Sequence, residues 1–182
     1  MLTVRELQES DIPHIIHYWT AATPEHLLAM GVDSSKVPAT ELMKSALLNQ
    51  LSTRIELKAA YCLIGGLDGQ PIGHCNTNPT QFGQEAYMHL HLWEGAQRGL
   101  GLGSQMVSGA LPYFFEKLQL KQLYSQPYKY NPAPHRALER AGFLFDKDYV
   151  TIPGSINFEQ PVRRWIMTRE RFLQIQPKQA SK

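Results

Sequence analysis

The sequence predicts a single α/β or α+β domain, and three observations carry that prediction. Short apolar runs with two-residue alternation recur between segments whose apolar residues stand three and four apart. Asp68-Gly69 sits between two such runs, a strong local signal for a hairpin. The 182 residues suffice for one core and show no linker or internal repeat that would divide them.

Composition removes other classes. With 43% hydrophobic and 19% charged residues, and a net charge of only +2, the chain is not a disordered protein. Its basic residues are scattered, which gives duplex nucleic acid no stripe to bind. Cys62 and Cys75 stand apart without CxxC spacing and read as reduced core thiols. MLTVRELQES does not resemble a secretory signal, and no stretch of about 18 apolar residues offers a membrane span. The expectation is a cytoplasmic protein without membrane contact.

Taken in order, Leu2 to Leu7 reads as a strand, and Glu9-Ser10-Asp11 with Pro13 reads as a helix start. Ile12, Ile15, Ile16 and Trp19 continue at helical spacing, Pro24 to Met30 forms a second helix ended by Gly31, and Ala39 to Leu51 a third. Ala59 to Gly66 and Ile72 to Asn76 are strands around the Asp68-Gly69 turn. Ala86 to Trp93 alternates, with Met88, Leu90 and Leu92 on one face and Tyr87, His89, His91 and Trp93 on the other. Leu102, Met106, Ala110, Phe114 and Leu118 then recur every fourth residue, in a helix that Pro112 should kink or interrupt. Lys121 to Gln126 is a strand, Pro132 to Arg140 a helix, and Phe143 to Ile152 and Pro161 to Thr168 two more strands. The domain is expected to span residues 1–172, with 173–182 a disordered tail.

The segment Gln97 to Ser104 is the most informative. Gly99, Gly101 and Gly103 lie between a strand and an amphipathic helix, where unpaired backbone N–H groups favour an anion. Arg98 adds a charge that can pair with phosphate. A P-loop would end in Gly-Lys-Ser/Thr, whereas Ser104 follows Gly103 directly; a Rossmann loop would read GxGxxG with an acid some twenty residues on, and none is there.

Arg98 to Gly103 resembles the R-x-x-G-x-G/A signature of the GNAT superfamily of acyl-CoA N-acyltransferases. NPAPHRALERAGF, Asn131 to Phe143, resembles that superfamily's second signature, with the spacing of the ribosomal-protein N-terminal acetyltransferase branch. The likeness runs from about Ala59 to Thr168. It implies a mixed, mostly antiparallel sheet of about seven strands flanked by helices, and transfer of an acetyl group from acetyl-CoA, as co-substrate, to an amine by direct attack. It further implies that Arg98, Gly99, Gly101, Gly103 and Ser104 hold the phosphates, that Leu92 and Trp93 offer backbone groups to the pantetheine arm, and that Asn131 bonds the arm from the other side. The acceptor is a small-molecule or peptide amine, and a homodimer is compatible with the family.

Two departures stand out. Leu138 occupies the place of a tyrosine that protonates the leaving thiolate in many members, and Pro134 that of a serine common in the closest branch. Water, Tyr128, Tyr130 or the substrate could supply that proton. A catalytically idle acyl-CoA-binding regulatory protein therefore stands as the alternative reading.

His89 and His91 share a face of the strand that lines the acceptor cleft in the family, and His91 is the favoured base, working near the unperturbed pKa of about 6.5. Against this stands a role as hydrogen-bonded core histidines. Glu94 is the rival base. With His74 the pair could also make three metal ligands, but no fourth ligand is evident, and the expectation is no metal.

Overall fold

The computed structural model describes residues 1–95 and 99–176. Seven strands form one sheet: β1 (Leu2–Glu6), β2 (Tyr61–Leu67), β3 (Gln70–Gln81), β4 (Glu85–Leu92), β5 (Gln122–Ser125), β6 (Leu144–Thr151) and β7 (Gln160–Thr168), in the order β1-β2-β3-β4-β5-β7-β6. Only β4 and β5 run parallel. The mixed, mostly antiparallel sheet matches the architecture expected from sequence.

Six α-helices are described: α1 (Ile12–Thr20), α2 (Pro24–Ala29), α3 (Thr40–Ser52), α4 (Leu102–Pro112), α5 (Pro132–Arg140) and α6 (Arg169–Ile175). The last lacks a counterpart in the sequence reading. Thr168 caps it by accepting from the Arg171 N–H, and Phe172, 2% exposed, ties it to the core against Phe115. The domain end expected at residue 172 therefore falls inside a helix, and residues 177–182 lie outside the described ones.

Asp68 and Gly69 both take positive φ, as the two central residues of a tight hairpin between β2 and β3 must. The fourfold repeat through α4 and the turn that follows it buries Leu102, Met106, Ala110, Phe114 and Leu118 against the sheet. Pro112 marks a break as expected: the α-helix ends there and the chain continues as a π turn, Tyr113–Lys117. The main core lies between the sheet and α4, with Leu63, Met88, Met106, Phe114, Phe115 and Leu123 fully buried. A smaller cluster of Leu7, Ile15, Cys62 and Ile64 packs under Trp19, Leu47, Leu51 and Trp93 on the other face. Both cysteines are buried free thiols; burial pushes Cys62 up to about 12 and raises Cys75 as well, so neither is a nucleophile.

The junction of β1 and α1 is pinned by Asp11, 2% exposed. It accepts two N–H bonds from Arg5, at 2.6 and 2.8 Å, and one from the Gln8 backbone at 2.8 Å. Burial alone would raise its pKa, but these bonds prevail and lower it.

Gly73 permits the close approach of β3 to β4. A Cβ there would stand 2.3 Å from the His91 carbonyl oxygen and 3.2 Å from Leu92 Cα, both backbone atoms of the paired strand. Gly73→Ala is therefore expected to destabilise the fold by about 2 kcal/mol, as overpacking against unyielding neighbours does. Urea unfolding of the variant measures this, and unchanged stability would mean that β4 can shift.

Candidate active site

The site begins where β4 and β5 part. They pair only from Glu85 to Tyr87 against Gln122 to Tyr124. Beyond that the Ser125 hydroxyl donates to the Met88 carbonyl at 3.0 Å, and Pro127 follows with no N–H to offer. Because the Trp93 N–H is donated to Ile72 of β3 at 3.0 Å, alternation turns the backbone groups of Leu90 and Leu92 toward the gap. Of the two residues expected to offer backbone groups to the arm, Leu92 faces the gap. Trp93 does not: its amide is engaged on the far edge, and its indole donates to His74 Nδ1 at 2.8 Å and stacks on His14. The second unpaired residue is Leu90, which the sequence reading missed although strand period alone distinguishes Leu90 and Leu92 from Trp93.

A groove of about 610 Å³ runs from this gap to the start of α4. Gly99, Gly101, Gly103 and Ser104 line it, and Gly99 and Gly101 adopt positive φ, which a side chain would strain. Gly101 precedes α4, and the first intrahelical bond is Gln105 N–H to the Gly101 carbonyl at 3.2 Å. The N–H groups of Leu102, Gly103 and Ser104 are thereby left for an anion. The Ser104 hydroxyl already donates to the Gly101 carbonyl at 2.8 Å, so its contribution is its backbone N–H. Arg98 lies outside the described residues. Arg136 and Arg140, one helical turn apart on α5, line the same groove and bring cationic charge that the sequence reading overlooked.

Asn131 faces the groove from the opposite side. Its Oδ1 accepts from the Ala133 N–H at 3.3 Å and caps α5, which leaves Nδ2 as the donor for a ligand. Leu138 is 2% exposed in the core, and no hydroxyl replaces the absent tyrosine on α5.

A smaller chamber of about 130 Å³ continues through the sheet, sharing Met30, Leu90, His91, Tyr128, Asn131 and Pro134 with the groove. Its far wall is Gln160, 2% exposed, whose Nε2 donates to the Gly31 carbonyl at 2.8 Å and the Phe158 carbonyl at 3.2 Å. The Gln160 Oε1 has no hydrogen-bond partner among the described residues.

The histidines diverge in setting. His89 bonds the Asn78 carbonyl through Nε2 at 3.0 Å and lines only the chamber. His91, half-buried, lines chamber and groove alike. Its Nδ1 lies 3.2 Å from the Tyr18 hydroxyl, while Nε2 has no partner among the described residues and is open to the cleft. Its ring stacks on His74 at 4.6 Å between centroids. Burial, and then the neighbouring imidazoles of His74, His89 and His26, hold the His91 pKa well below its usual value; burial lowers His89 too, against the pull of Asn78. Among the described residues no group of three or more His, Cys, Asp or Glu could hold a metal ion. Glu94 is exposed beyond the strand end and lines neither cavity.

His74, 4% exposed, is held neutral: burial, with His89 nearby, pushes its pKa down to about 3. Below pH 6.5 the unfolded chain takes up a proton that the folded protein refuses, so stability falls as pH falls from 6.5 toward that value. Each such histidine contributes up to about 1.4 kcal/mol of loss per pH unit. His74→Gln, which keeps an acceptor for Trp93, is expected to lose about 2 kcal/mol less than the parent between pH 6.5 and pH 5 in urea unfolding. Parallel losses in the two proteins would place the titration elsewhere.

The profile of the acetyltransferase (GNAT) domain matches residues 1–144 of the chain. No curated protein matches it in sequence. Similar solved structures include the aminoglycoside acetyltransferase AAC(6')-Ib in complex with coenzyme A, 17% identical with a TM-score of 0.74 over 97% of this chain and 100% of that one. The spermidine N-acetyltransferase from Vibrio cholerae with CoA and spermine is 18% identical, TM-score 0.75, over 94% and 98%. RimL, a ribosomal L7/L12 α-N-protein acetyltransferase with coenzyme A, is 15% identical, TM-score 0.73, over 92% and 93%. At these identities the likeness is one of fold.

Proposed function

The chain belongs to the GNAT acetyltransferase family, an acetyl-CoA-dependent group, and from that premise we propose that it acetylates a small primary amine using His91 as base. The carrying observation is the convergence on one gap of unpaired β4 backbone, the anion-binding start of α4 and an open imidazole nitrogen. Acetyl-CoA brings the acetyl group already activated as a thioester.

In this reading the N–H groups of Leu102, Gly103 and Ser104, with Arg98, Arg136 and Arg140, hold the phosphates, while Leu90, Leu92 and Asn131 hold the arm. Unpaired N–H groups on β4 are also the donors available to charge growing on the thioester oxygen. His91 Nε2 takes the amine proton, and His89 shapes the chamber wall. Tyr128 lines chamber and groove, whereas Tyr130 lines only the groove.

The acceptor end offers phenols, imidazoles, amides and a thioether: Tyr18, His26, Met30, Gln126 and Asn157 among them. This lining favours an acceptor presenting one amine and recognised by shape and hydrogen bonds. Kanamycin and spermine, bound by similar structures, present several charges. Thiol release from acetyl-CoA across benzylamine, alaninamide, spermine and kanamycin tests this directly; preference for the last two would overturn it.

Gly101→Asp is expected to abolish acetyl-CoA binding in calorimetry while leaving the protein folded, since it places a carboxylate where N–H groups await phosphate. Unchanged affinity would remove the groove from the cofactor assignment.

His91→Gln should lower turnover about 100-fold, within the range for a lost acid–base group, without weakening acetyl-CoA binding. Because the folded pKa is depressed, the rising limb of the wild-type pH profile should have its midpoint below 6.5, not near it as the unperturbed value suggested. A midpoint at or above 6.5 would exclude His91 as the group titrating.

A further inference from the structure

We propose that Tyr18 and His26 form a two-way proton relay between His91 and solvent, through which one histidine serves first as base for the amine and then as acid for the leaving thiolate. The proposal rests on the reading of His91 as base and extends it to residues outside the family's signatures.

Three observations place the relay. The Tyr18 hydroxyl stands 3.2 Å from His91 Nδ1 and 3.3 Å from His26 Nε2, so it joins the two rings. Tyr18 is 7% exposed, which shields the link from competing water, while His26 is half-buried on α2 at the cleft edge. The other nitrogen of His91 opens on the cleft. A hydroxyl can accept one N–H while donating its own hydrogen, so a proton entering at His91 can leave at His26 without any heavy atom moving far. The need is chemical: His91 is a weak base in this surrounding, and with Leu138 in place of the family's tyrosine α5 offers no hydroxyl for the thiolate.

With an ammonium acceptor, one proton passes to His91 Nε2, the Nδ1 proton passes to Tyr18, the Tyr18 proton passes to His26 Nε2, and His26 releases its Nδ1 proton to water. The neutral amine then forms the C–N bond as the C–S bond breaks. His91 gives its Nε2 proton to the thiolate and regains one at Nδ1 through Tyr18 and His26 from water. The acetylated nitrogen loses its second proton to water. One proton is released per turnover, and all three side chains end as they began.

The Tyr18 hydroxyl can also donate its one hydrogen to Met30 Sδ at 3.2 Å, a weaker acceptor than the His26 imidazole, and the ring of Trp19 lies edge-on to His91 at 5.0 Å. Among the described residues the titratable groups facing His91 are Tyr18 from α1, His26 from α2, His74 from β3 and His89 on its own strand. Tyr18 and His26 are positioning and relay residues, since neither needs to touch the reacting atoms.

The test compares Tyr18→Phe, His26→Gln and His26→Ala with His91→Gln, using acetyl-CoA and whichever panel amine turns over fastest. The relay predicts a fall in kcat of about tenfold or more in each relay variant, with acetyl-CoA affinity unchanged by calorimetry. It also predicts that free imidazole restores His26→Ala, and that a curved proton inventory in mixed H₂O and D₂O becomes linear in Tyr18→Phe. His26 is partly exposed, so its variants read out even if Tyr18→Phe fails to fold. Slowed variants with no imidazole rescue and an unaltered proton inventory would reduce Tyr18 and His26 to supports of the His91 ring and overturn the relay. Wild-type kcat in the relay variants, with His91→Gln impaired, would overturn the relay alone. Wild-type kcat in His91→Gln would overturn the base and the relay together.

Discussion

The candidate site in this fold depends on the brevity of one parallel pairing. β4 and β5 share three residue pairs and then separate, held at the parting point by the Ser125 hydroxyl on the Met88 carbonyl. A central strand with backbone groups left open inside a sheet is costly unless something satisfies them. Here the unsatisfied edge is the surface that a linear ligand can join as a further strand would, and the glycines at the start of α4 sit at its outer end. The core beneath α4 holds the two halves of the sheet together where hydrogen bonds do not.

The same parting explains the electrostatics. Alternation sends Met88, Leu90 and Leu92 toward α4 and His89 and His91 to the opposite face, where the rings of Tyr18 and Trp19 from α1 and of His74 from β3 pack around His91. That packing removes water from the imidazoles and keeps them uncharged at neutral pH. A neutral ring can accept a proton but holds it weakly, so in the proposed reading proton exit matters as much as proton capture.

Local features of this arrangement were legible in the sequence, because they depend on neighbours in the chain. Asp68-Gly69 announces its turn, the Met88 to Trp93 alternation announces its two faces, Gly99 to Gly103 announces the turn into α4, and all seven strands have a counterpart in the sequence. Pro132 to Arg140 is a helix from its first residue to its last, since Asn131 caps it and Gly142 takes positive φ beyond it. What sequence could not convey is who meets whom. Tyr18 reaches His91 across 73 positions, and Gln160 reaches Gly31 across 129. The engagement of the Trp93 amide with Ile72 depends on strand register, and α6 follows β7 too closely, with too weak a pattern, to separate from an irregular tail.

The Gly31 carbonyl accepts from both Asn157 Nδ2 and Gln160 Nε2, each at 2.8 Å, while Val32 bridges Asn157 and the Asp33 N–H donates to Ile156 at 2.8 Å. Gly31 has positive φ, and the Gln160 amide lies where a Cβ would project, so the two segments fit only as a glycine against a flat amide. The wall of the acceptor chamber is accordingly assembled when the protein folds, from segments near opposite ends of the chain. The bonds that hold the fold there are the same ones that hold the chamber wall, so a change at Gly31 or Gln160 reaches both at once.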